Sequence, residues 1–410
     1  MSTVKKPQTR IQGIDICRSF AILLAMFSHA MVEAGTLKVT PESVAIPMRF
    51  VLQMAPPIFI ILFGTMLEFV YKARIEDGQY MQATRRLLTR ALQCYLLYVV
   101  SILAMLAVGL SSPGYALRCI LMMGVTPYAD ILKFYALALA LAPALLAFRI
   151  RWGLTPLVVA SLLIHLAHPL IAAVPTPPLL AGKDYLGPVM GFLTGMATQE
   201  VGGPSVLHGM TFVIWGMVVG KAIKLMMAGE TPKEIAQGKR LLTGMFAAAV
   251  AATLLLWNWE APLQDFAGIA TLKIRNANQP LYFALGCAVT IACVMLCIQL
   301  YDRMNASFGQ SVTFAGRTSL FTFSFGNVLL YLAPKLTLTL AMSWIYALAL
   351  FAAICLQSYI FWTVQAPAKD KPQSAPGAWL GDFIRTMTQR VSGLTNPVAR
   401  HYSRWIEPSR

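Results

Sequence analysis

Charged side chains are scarce in this chain of 410 residues. Asp, Glu, Lys and Arg make up 12% of the sequence, against about 25% in ordinary soluble domains. Hydrophobic residues make up 57%, against about 45–50% in such domains. Because too few polar side chains remain to cover the outside of a folded core, the composition excludes a soluble globular enzyme and a disordered regulator. The chain is therefore predicted to be an all-α polytopic integral membrane protein.

Acidic residues are the scarcer charged class. There are 17 Asp and Glu against 33 Lys and Arg, which gives a formal net charge of +16. An excess of this size would suggest nucleic-acid binding if the basic residues lay on one face or in one tail. They lie instead between long apolar runs, as the positive-inside rule requires of a multispanning membrane protein. We therefore expect no nucleic-acid partner.

Recognisable metal and redox motifs are missing as well. The seven cysteines lie in or beside apolar stretches, and the pair Cys293 and Cys297, one helical turn apart, has no further ligand nearby in the sequence. His165 and His168 are also one turn apart, and without a third ligand they are interpreted as hydrogen-bonding histidines rather than a metal pair. We interpret the cysteines as packing residues and expect neither a metal nor a permanently bound cofactor.

Ten apolar stretches are long enough to cross a bilayer, a distance that takes about 20 helical residues. They cover residues 14–34, 47–71, 91–111, 129–148, 152–173, 209–228, 241–259, 280–300, 314–333 and 338–364. With the N-terminus in the cytoplasm, most of the 33 basic residues fall on the inner side, so both termini are predicted to be cytoplasmic. Residues 1–365 are predicted to form one transmembrane domain.

The remaining residues, 366–410, are predicted to form a cytoplasmic tail. Residues 367–376 are rich in proline and predict a linker. Beyond them apolar and basic side chains occupy opposite sides of a helix; the apolar residues are Trp379, Phe383, Met387 and Val391, and the basic ones are Arg385 and Arg390. This pattern is typical of an amphipathic helix that lies in the membrane interface with its basic side toward anionic lipid.

The predicted topology contains two long outer loops. Residues 174–208 are rich in Pro and Gly, and the stretch 185–196 within them is apolar enough to re-enter the membrane. Residues 258–279 carry several charged side chains, among them Asp265, Lys273 and Arg275. Loops of this length in a compact membrane protein are either functional lids or poorly ordered, and both interpretations stay open.

The first span carries ionisable residues along one face. Arg18 and His29 are eleven residues apart, which brings them within about 20° of each other around the helix and about 16 Å apart along it. Asp15 lies one turn before Arg18, and Glu33 lies one turn after His29. Ionisable groups inside a span are costly, so each marks a candidate site. The alternative is that the charged residues mark the two interfaces and that His29 makes a hydrogen bond between helices.

Two kinds of chemistry are combined on this face. A neutral imidazole can accept a proton from a hydroxyl group near neutral pH, and a neighbouring carboxylate such as Glu33 can support the imidazolium that forms. A guanidinium near the inner end, such as Arg18, can bind a phosphate through two parallel hydrogen bonds. The pattern therefore suggests a phosphate-bearing donor that enters from inside and an acceptor that meets His29 deeper in the membrane.

The spacing Arg-x10-His in the first span, with Asp three residues before the Arg, resembles the signature of the membrane acyltransferase superfamily. This superfamily includes polysaccharide O-acetyltransferases and the succinyltransferases of osmoregulated periplasmic glucans. Residues 56–64 (PPIFIILFG), 127–135 (PYADILKFY) and 316–320 (GRTSL) are similar to further segments of these families. The chain departs from them at residues 63–65, where Ser-Gly is usual, and at Asn327, where many relatives carry a histidine.

The resemblance implies that His29 is the general base, with Glu33 beside it, and that arginines bind the phosphates of an acyl-CoA donor. The donor-binding candidates are Arg18, Arg85, Arg86, Arg90 and Arg317. The acceptor-binding candidates are Asp130, Lys133 and His208. Topology signalling or interface anchoring by the arginines, and an interfacial ion pair between Asp130 and Lys133, are the alternatives.

Two functions remain in view. The first is an O-acyltransferase of the bacterial inner membrane, which moves an acetyl or succinyl-type group from cytoplasmic acyl-CoA to a hydroxyl group of a periplasmic glycan or glycolipid. The second is a transporter, or a lipid or glycan flippase, in which the buried charges line a path. The resemblance favours the acyltransferase. Membrane lipid is the expected surrounding, and association into a homo-oligomer stays open.

Overall fold

The computed structural model describes residues 11–179, 182, 184–196, 202–365 and 378–406. Within these ranges the chain forms helices and loops, and no β-strand occurs there. The all-α polytopic architecture predicted from the composition is therefore confirmed.

Ten long apolar helices lie in the described residues, and we number them in chain order. They are α1 (Gln12–Glu33), α2 (Glu42–Glu76), α3 (Tyr80–Ala107), α4 (Asp130–Trp152), α5 (Thr155–Leu166), α6 (Val206–Met227), α7 (Pro232–Leu256), α8 (Pro280–Arg303), α9 (Ser319–Leu332) and α10 (Leu340–Val364). Eight of them are long and apolar enough to cross a membrane, whereas α5 and α9 have only 12 and 14 residues.

The two short helices correspond to the fifth and ninth predicted spans, and each of these spans is broken in two. After α5 a separate short helix, His168–Ala172, begins with Pro169 in its first turn. A proline cannot continue the preceding helix because its ring clashes with the carbonyl four residues earlier. Before α9 lies the short helix Thr313–Arg317, which Thr318 separates from α9. Among the described residues, eight helices are therefore long enough to be full crossings, whereas the fifth and ninth of the ten predicted spans are each divided into shorter helices.

Helix α1 is surrounded by other helices. It packs against α2, α8, α9, α10 and the helix Thr313–Arg317, and residues such as Ile16, Met26 and Ala30 are fully buried in these contacts. On the ionisable face itself Ile22 is 2% exposed, and Asp15, Arg18, His29 and Glu33 are partly buried, so this face is partly covered by the neighbouring helices.

Helices α2 and α6 approach each other at glycines. A Cβ atom on Gly64 would lie 2.0 Å from the carbonyl oxygen of Val213, and one on Gly216 would lie 2.1 Å from that of Ile61. The hydroxyl group of Thr65 also donates a hydrogen bond to the carbonyl of Gly216 at 3.1 Å. Small residues that bring two backbones together are a common basis of helix association in membranes. The glycine of the segment 56–64 thus has a packing role.

A buried ion pair joins α2 to the end of α4. Arg149 donates from Nε and Nη2 to the two carboxylate oxygens of Glu68, at 3.0 and 2.7 Å. The Glu68 side chain is only 3% exposed. A paired fork of this kind is stable because both charges are satisfied, whereas either charge alone would be costly in this position.

The C-terminal residues Ala378–Ile406 form a further helix, α11, which packs against α3. Thr395 and Thr89 share a hydrogen bond between their hydroxyl groups at 3.1 Å, and Trp379 and Phe383 are exposed. The predicted linker, residues 367–376, lies outside the described residues. The location of α11 in a membrane interface stays a prediction.

Candidate active site around His29

A cavity of about 270 Å³ lies beside the outer half of α1. Its wall is mostly apolar and is built from α1, α2, the start of α4, α9 and the loops that precede α6 and α8. The ionisable groups that line it are His29, Tyr128, Asp130 and Arg275. The predicted base therefore borders a partly open cavity that a substrate can enter.

The imidazole of His29 is held on three sides. Its ring centroid lies 4.7 Å from that of Tyr128 and 5.4 Å from that of Phe323, and its Nδ1 lies 3.1 Å from Oδ1 of Asn327 on α9. Asn327 is fully buried. These contacts fix both the plane of the ring and the nitrogen that faces α9.

The hydrogen bonds of Asn327 determine the tautomer of His29. The amide Nδ2 of Asn327 donates to the backbone carbonyl of Tyr128 at 3.3 Å, and a carbonyl can only accept. The amide oxygen must therefore be the atom that faces His29, and because it also only accepts, Nδ1 must carry the proton. In the neutral ring Nε2 is then left with its lone pair, as a general base requires.

Glu33 reaches His29 indirectly. Its carboxylate accepts a hydrogen bond from the hydroxyl group of Tyr128 at 3.1 Å and forms an ion pair with Lys335. Asn327, and not Glu33, is the residue that bonds to Nδ1 of His29, so the support of the imidazolium by Glu33 stays a prediction. Tyr128 connects the two, since its ring contacts His29 while its hydroxyl group contacts Glu33.

Tyr128 adopts an unusual backbone conformation to make these contacts. Its φ angle is +64°, a left-handed value that is uncommon for a bulky residue. Such conformations persist where the surrounding contacts over-determine them, and they cluster at functional sites. The conformation brings the ring, the hydroxyl group and the carbonyl of Tyr128 to three different partners: His29, Glu33 and Asn327.

The ceiling of the cavity comes from the two long outer loops. Leu272 and Arg275 of the second loop line it together with Phe192 and residues 202–204 of the first. The loops are joined by a hydrogen bond of 2.7 Å from the backbone N–H of Ser205 to Oδ1 of the buried Asn278. The two loops therefore contribute to the wall of the cavity, and a lid role for them stays a prediction.

Arg275 was not singled out from the sequence as a site residue. It lies in the short helix Lys273–Asn276, and its Nε and Nη2 donate to Oδ1 of Asn276, each at 3.2 Å. Burial lowers the pKa of the guanidinium, while Tyr282 and Asp130 raise it. Nothing in the sequence distinguishes this arginine from the nearby Lys273, because only the folding of the loop brings it over the cavity.

Asp130 and Lys133 form an ion pair, which was the alternative to acceptor binding in the sequence analysis. Lys133 Nζ lies 3.4 Å from Oδ1 of Asp130 and donates to the carbonyl of Gly124 at 3.0 Å. The same carboxylate oxygen accepts from the backbone N–H and the hydroxyl group of Thr126. Oδ2 of Asp130 is buried without a partner, and Asp130 lines the cavity. An acceptor contact therefore stays a prediction for Asp130, whereas Lys133 is occupied by the pair and by the loop.

His208 lies in a different cluster. Its ring is buried between those of His165 and His168, at centroid distances of 5.9 and 5.7 Å, and its Nδ1 bonds to Ser205 Oγ at 2.8 Å. His208 is absent from the described lining of the His29 cavity. Over the described ranges, no group of three or more His, Cys, Asp or Glu side chains is arranged to hold a metal ion.

Several of the predicted donor-binding arginines converge at the inner end of the fold. Arg18 on α1, and Arg86 and Arg90 on α3, lie close enough to the hydroxyl group of Tyr71 on α2 to interact with it electrostatically. Arg18 is half-buried, whereas Arg85, Arg86 and Arg90 are exposed. Cationic side chains from two helices thus approach one hydroxyl group, an arrangement that suits a ligand with several negative charges.

Arg317, the last of the donor candidates, follows a residue that is fixed against α1. The backbone N–H of Gly316 donates to Ser19 Oγ at 3.1 Å, and Ser19 Oγ donates to the carbonyl of Asp15 at 2.8 Å. A Cβ atom on Gly316 would lie only 2.4 Å from Ser19 Oγ, so the close contact needs glycine. The exposed Arg317 is therefore placed next to the inner part of α1, the helix that carries Arg18.

Residues 10–111 match the family model described as OpgC protein, a family of acyltransferases of osmoregulated periplasmic glucans. The match covers about a quarter of the chain and includes α1, α2 and α3, and with them His29, Arg18 and the arginines of α3. No curated protein matches the chain. The matched family and the apolar helices together support a multi-pass membrane protein of the acyltransferase type.

Proposed function

We propose that the protein is a membrane-embedded O-acyltransferase of the bacterial inner membrane. It moves an acetyl or succinyl-type group from cytoplasmic acyl-CoA to a hydroxyl group of a glycan or glycolipid on the periplasmic side. The observation that carries the proposal is the orientation of His29, whose Nδ1–H is held by Asn327 while its ring borders the cavity. The match of residues 10–111 to an acyltransferase family supports the same class of reaction.

In the proposed reaction His29 acts as the general base. Its Nε2 takes the proton of the acceptor hydroxyl group, and the acceptor oxygen attacks the thioester carbonyl, so that a new C–O bond forms. When the tetrahedral intermediate collapses, the C–S bond breaks and the thiolate of CoA takes the proton from the imidazolium. The bond from Nδ1–H to Asn327 becomes stronger while the ring is cationic, because a charged donor makes the stronger hydrogen bond.

The donor enters from the inner side in this proposal. The phosphates of acyl-CoA bind at the exposed arginines near Tyr71, and the thioester arm runs along α1 toward His29. The cavity supports this path because its lining begins at Ala21 and Ile22, one turn beyond Arg18. Acyl-CoA is a co-substrate here, and the reaction needs no resident cofactor.

The acceptor enters from the outer side, beneath the two joined loops. The unpartnered Oδ2 of Asp130 is suited to accept a hydrogen bond from a sugar hydroxyl group. Binding donor and acceptor in one cavity supplies much of the rate, because the reacting atoms are held together and water is excluded. The apolar wall of the cavity suits this task.

The test is acyl transfer by the purified protein in proteoliposomes. Labelled acetyl-CoA or succinyl-CoA is supplied with a glucan acceptor, and the label on the glucan, the label in the lumen and the released CoA are measured. The proposal expects an alkali-labile ester on the glucan and an equal amount of free CoA. His29→Ala, checked for insertion and thermal stability, is expected to form no ester.

The alternative function gives a different result in the same assay. A transporter or flippase would move label or glycan across the membrane without forming an ester, and its activity would not require an oriented base. Movement of label without ester formation in the wild-type protein would contradict the acyltransferase.

A further inference from the structure

A guanidinium shares the cavity with the proposed base. Arg275 lines the space that His29 lines, and it lies close enough to the imidazole to interact with it electrostatically. Among the described lining residues it is the one Lys or Arg side chain. The described wall of a mostly apolar cavity thus carries one positively charged side chain, Arg275.

The hydrogen-bonding capacity of this guanidinium is only partly used. Nε and Nη2 both donate to the same oxygen of Asn276, and in the described part of the chain no carboxylate forms an ion pair with Arg275 and no residue accepts from Nη1. The carboxylate of Asp130, which faces the same cavity, is held by Lys133 and Thr126. A guanidinium has five N–H donors, so Arg275 has donors left for an anion in the cavity.

The loop holds Arg275 in place before any substrate binds. Leu272 and Asn278, on either side of the short helix, adopt left-handed φ angles of +70° and +54°. Ile274 is buried, and Asn278 is tied to Ser205. A donor that is fixed in advance costs no reorganisation when charge develops, which makes it effective in catalysis.

We propose that Arg275 stabilises the oxyanion of the transfer reaction; this inference rests on the acyltransferase function proposed above. When the acceptor oxygen attacks the thioester carbonyl, the π electron pair of that carbonyl moves to its oxygen, while the proton of the acceptor goes to His29 Nε2. The negative oxygen accepts hydrogen bonds from the N–H groups of Arg275. These bonds last until the electron pair returns to re-form the carbonyl and the thiolate of CoA leaves. In the same intermediate His29 carries the positive charge of the transferred proton, and Arg275 stabilises the negative charge on the former carbonyl oxygen.

The inference is tested with Arg275→Gln and Arg275→Lys, and with Lys273→Gln as the matched control on the same short helix. Lys273 is exposed, and it is absent from the described lining of the cavity. Arg275→Gln is expected to lower kcat by about 10²–10³-fold, the effect of losing one oxyanion donor. The KM for acyl-CoA should change by less than about threefold, because the interaction is made only in the transition state. Lys273→Gln should behave as wild type.

The pH profile separates Arg275 from the base. Arg275→Gln keeps His29, so kcat should still fall on the acidic side as a single group is protonated, at a lower rate. The midpoint of this fall should move, because a positive charge near the imidazole is lost. Arg275→Lys should fall between the wild-type protein and Arg275→Gln, because an ammonium keeps the charge and loses the planar fork. Added guanidinium ion should restore part of the activity of Arg275→Gln, and it should restore no activity to His29→Ala.

Three results would overturn the assignment. They are a kcat of Arg275→Gln within about threefold of the wild-type value, a loss confined to KM, and disappearance of the acidic limb. If Arg275→Gln fails to fold, Arg275→Lys decides, and a wild-type kcat in that variant overturns the role. A wild-type protein that forms no ester refutes the proposed function itself, whereas an active wild-type protein with an equally active Arg275→Gln refutes only this inference.

Discussion

Replacing Asn327 by leucine is expected to slow acyl transfer while His29 itself stays in place. A neutral hydrogen bond contributes about 1–1.5 kcal/mol, and about 1.4 kcal/mol corresponds to a factor of ten. Without its acceptor, Nδ1 loses an about tenfold preference for the proton, so the fraction of molecules with Nε2 free falls from about nine tenths to about one half. The bond is stronger in the imidazolium state, at about 1.5–3 kcal/mol. The extra stabilisation of the cation, about 1–1.5 kcal/mol, is about tenfold in rate, so the expected loss in kcat is about 20-fold. His29→Ala should lose more, about 10²–10⁴-fold.

Two measurements on the same protein check this prediction. The first is kcat for ester formation, with Ser324→Ala as the control. Ser324 is buried one turn before Asn327 on α9, and its hydroxyl group has no hydrogen-bond partner, so its loss perturbs the same helix without touching His29. The second is the ¹⁵N NMR spectrum of histidine-labelled protein, which distinguishes the two neutral tautomers. With 5 histidines in the chain, the His29 signal can be assigned from the spectrum of His29→Ala.

The reasoning would be refuted by an Asn327→Leu protein that keeps the kcat of Ser324→Ala and shows the same tautomer of His29 as the wild-type protein. A lower kcat with an unchanged tautomer would also contradict it, because the rate would then depend on Asn327 through some other contact.

Further predictions concern the donor site and the packing of the helices. Arg18→Lys and Arg86→Gln should raise the KM for acyl-CoA about tenfold, because they would weaken the proposed bidentate phosphate contacts. Arg240→Gln on the exposed part of α7 is the control. An unchanged KM in both variants would contradict the proposed role of Arg18 and Arg86 in donor binding. Glu68→Gln should lower the free energy of unfolding by about 1–3 kcal/mol, since the neutral amide leaves Arg149, which is 13% exposed, without its ion pair. Thermal unfolding in detergent compares it with Glu76→Gln at the more exposed end of α2. Gly64→Ala should reduce the yield of folded protein, because the new methyl group would meet the backbone of α6. Gly244→Ala is the control and should not reduce the yield, because there is open space around Gly244. Equal yields would show that α2 and α6 can separate at little cost.

The all-α architecture and the ionisable face of α1 could be predicted because both depend on local patterns. Hydrophobic runs predict helices, and a spacing of eleven residues places Arg18 and His29 on one face. The fifth and ninth spans were predicted as continuous because their apolar content is high. Pro169 in one case, and the packing of Gly316 against Ser19 in the other, divide them into shorter helices.

The partners of His29 could not be predicted because they come from distant parts of the chain. Asn327 is 298 residues away from His29, and in the sequence it stands out only as a departure from the histidine of many relatives. Glu33 was the obvious partner by helical spacing, yet Tyr128 and Lys335 bind its carboxylate. Arg275 reaches the cavity only through the fold of its loop, which no periodic pattern records.

Tyr128 links a solvent-exposed ion pair to the orientation of His29. In the pair of Glu33 with Lys335 the Lys335 side chain is 51% exposed and the Glu33 side chain 4% exposed, so dissolved salt screens the lysine more than the carboxylate. A weaker pair leaves the Glu33 carboxylate freer to move, and the hydroxyl group of Tyr128 follows it. The ring of the same residue lies against His29, so a rearrangement at Lys335 would reach the proposed base through Tyr128, whereas the buried bond to Asn327 is shielded from it.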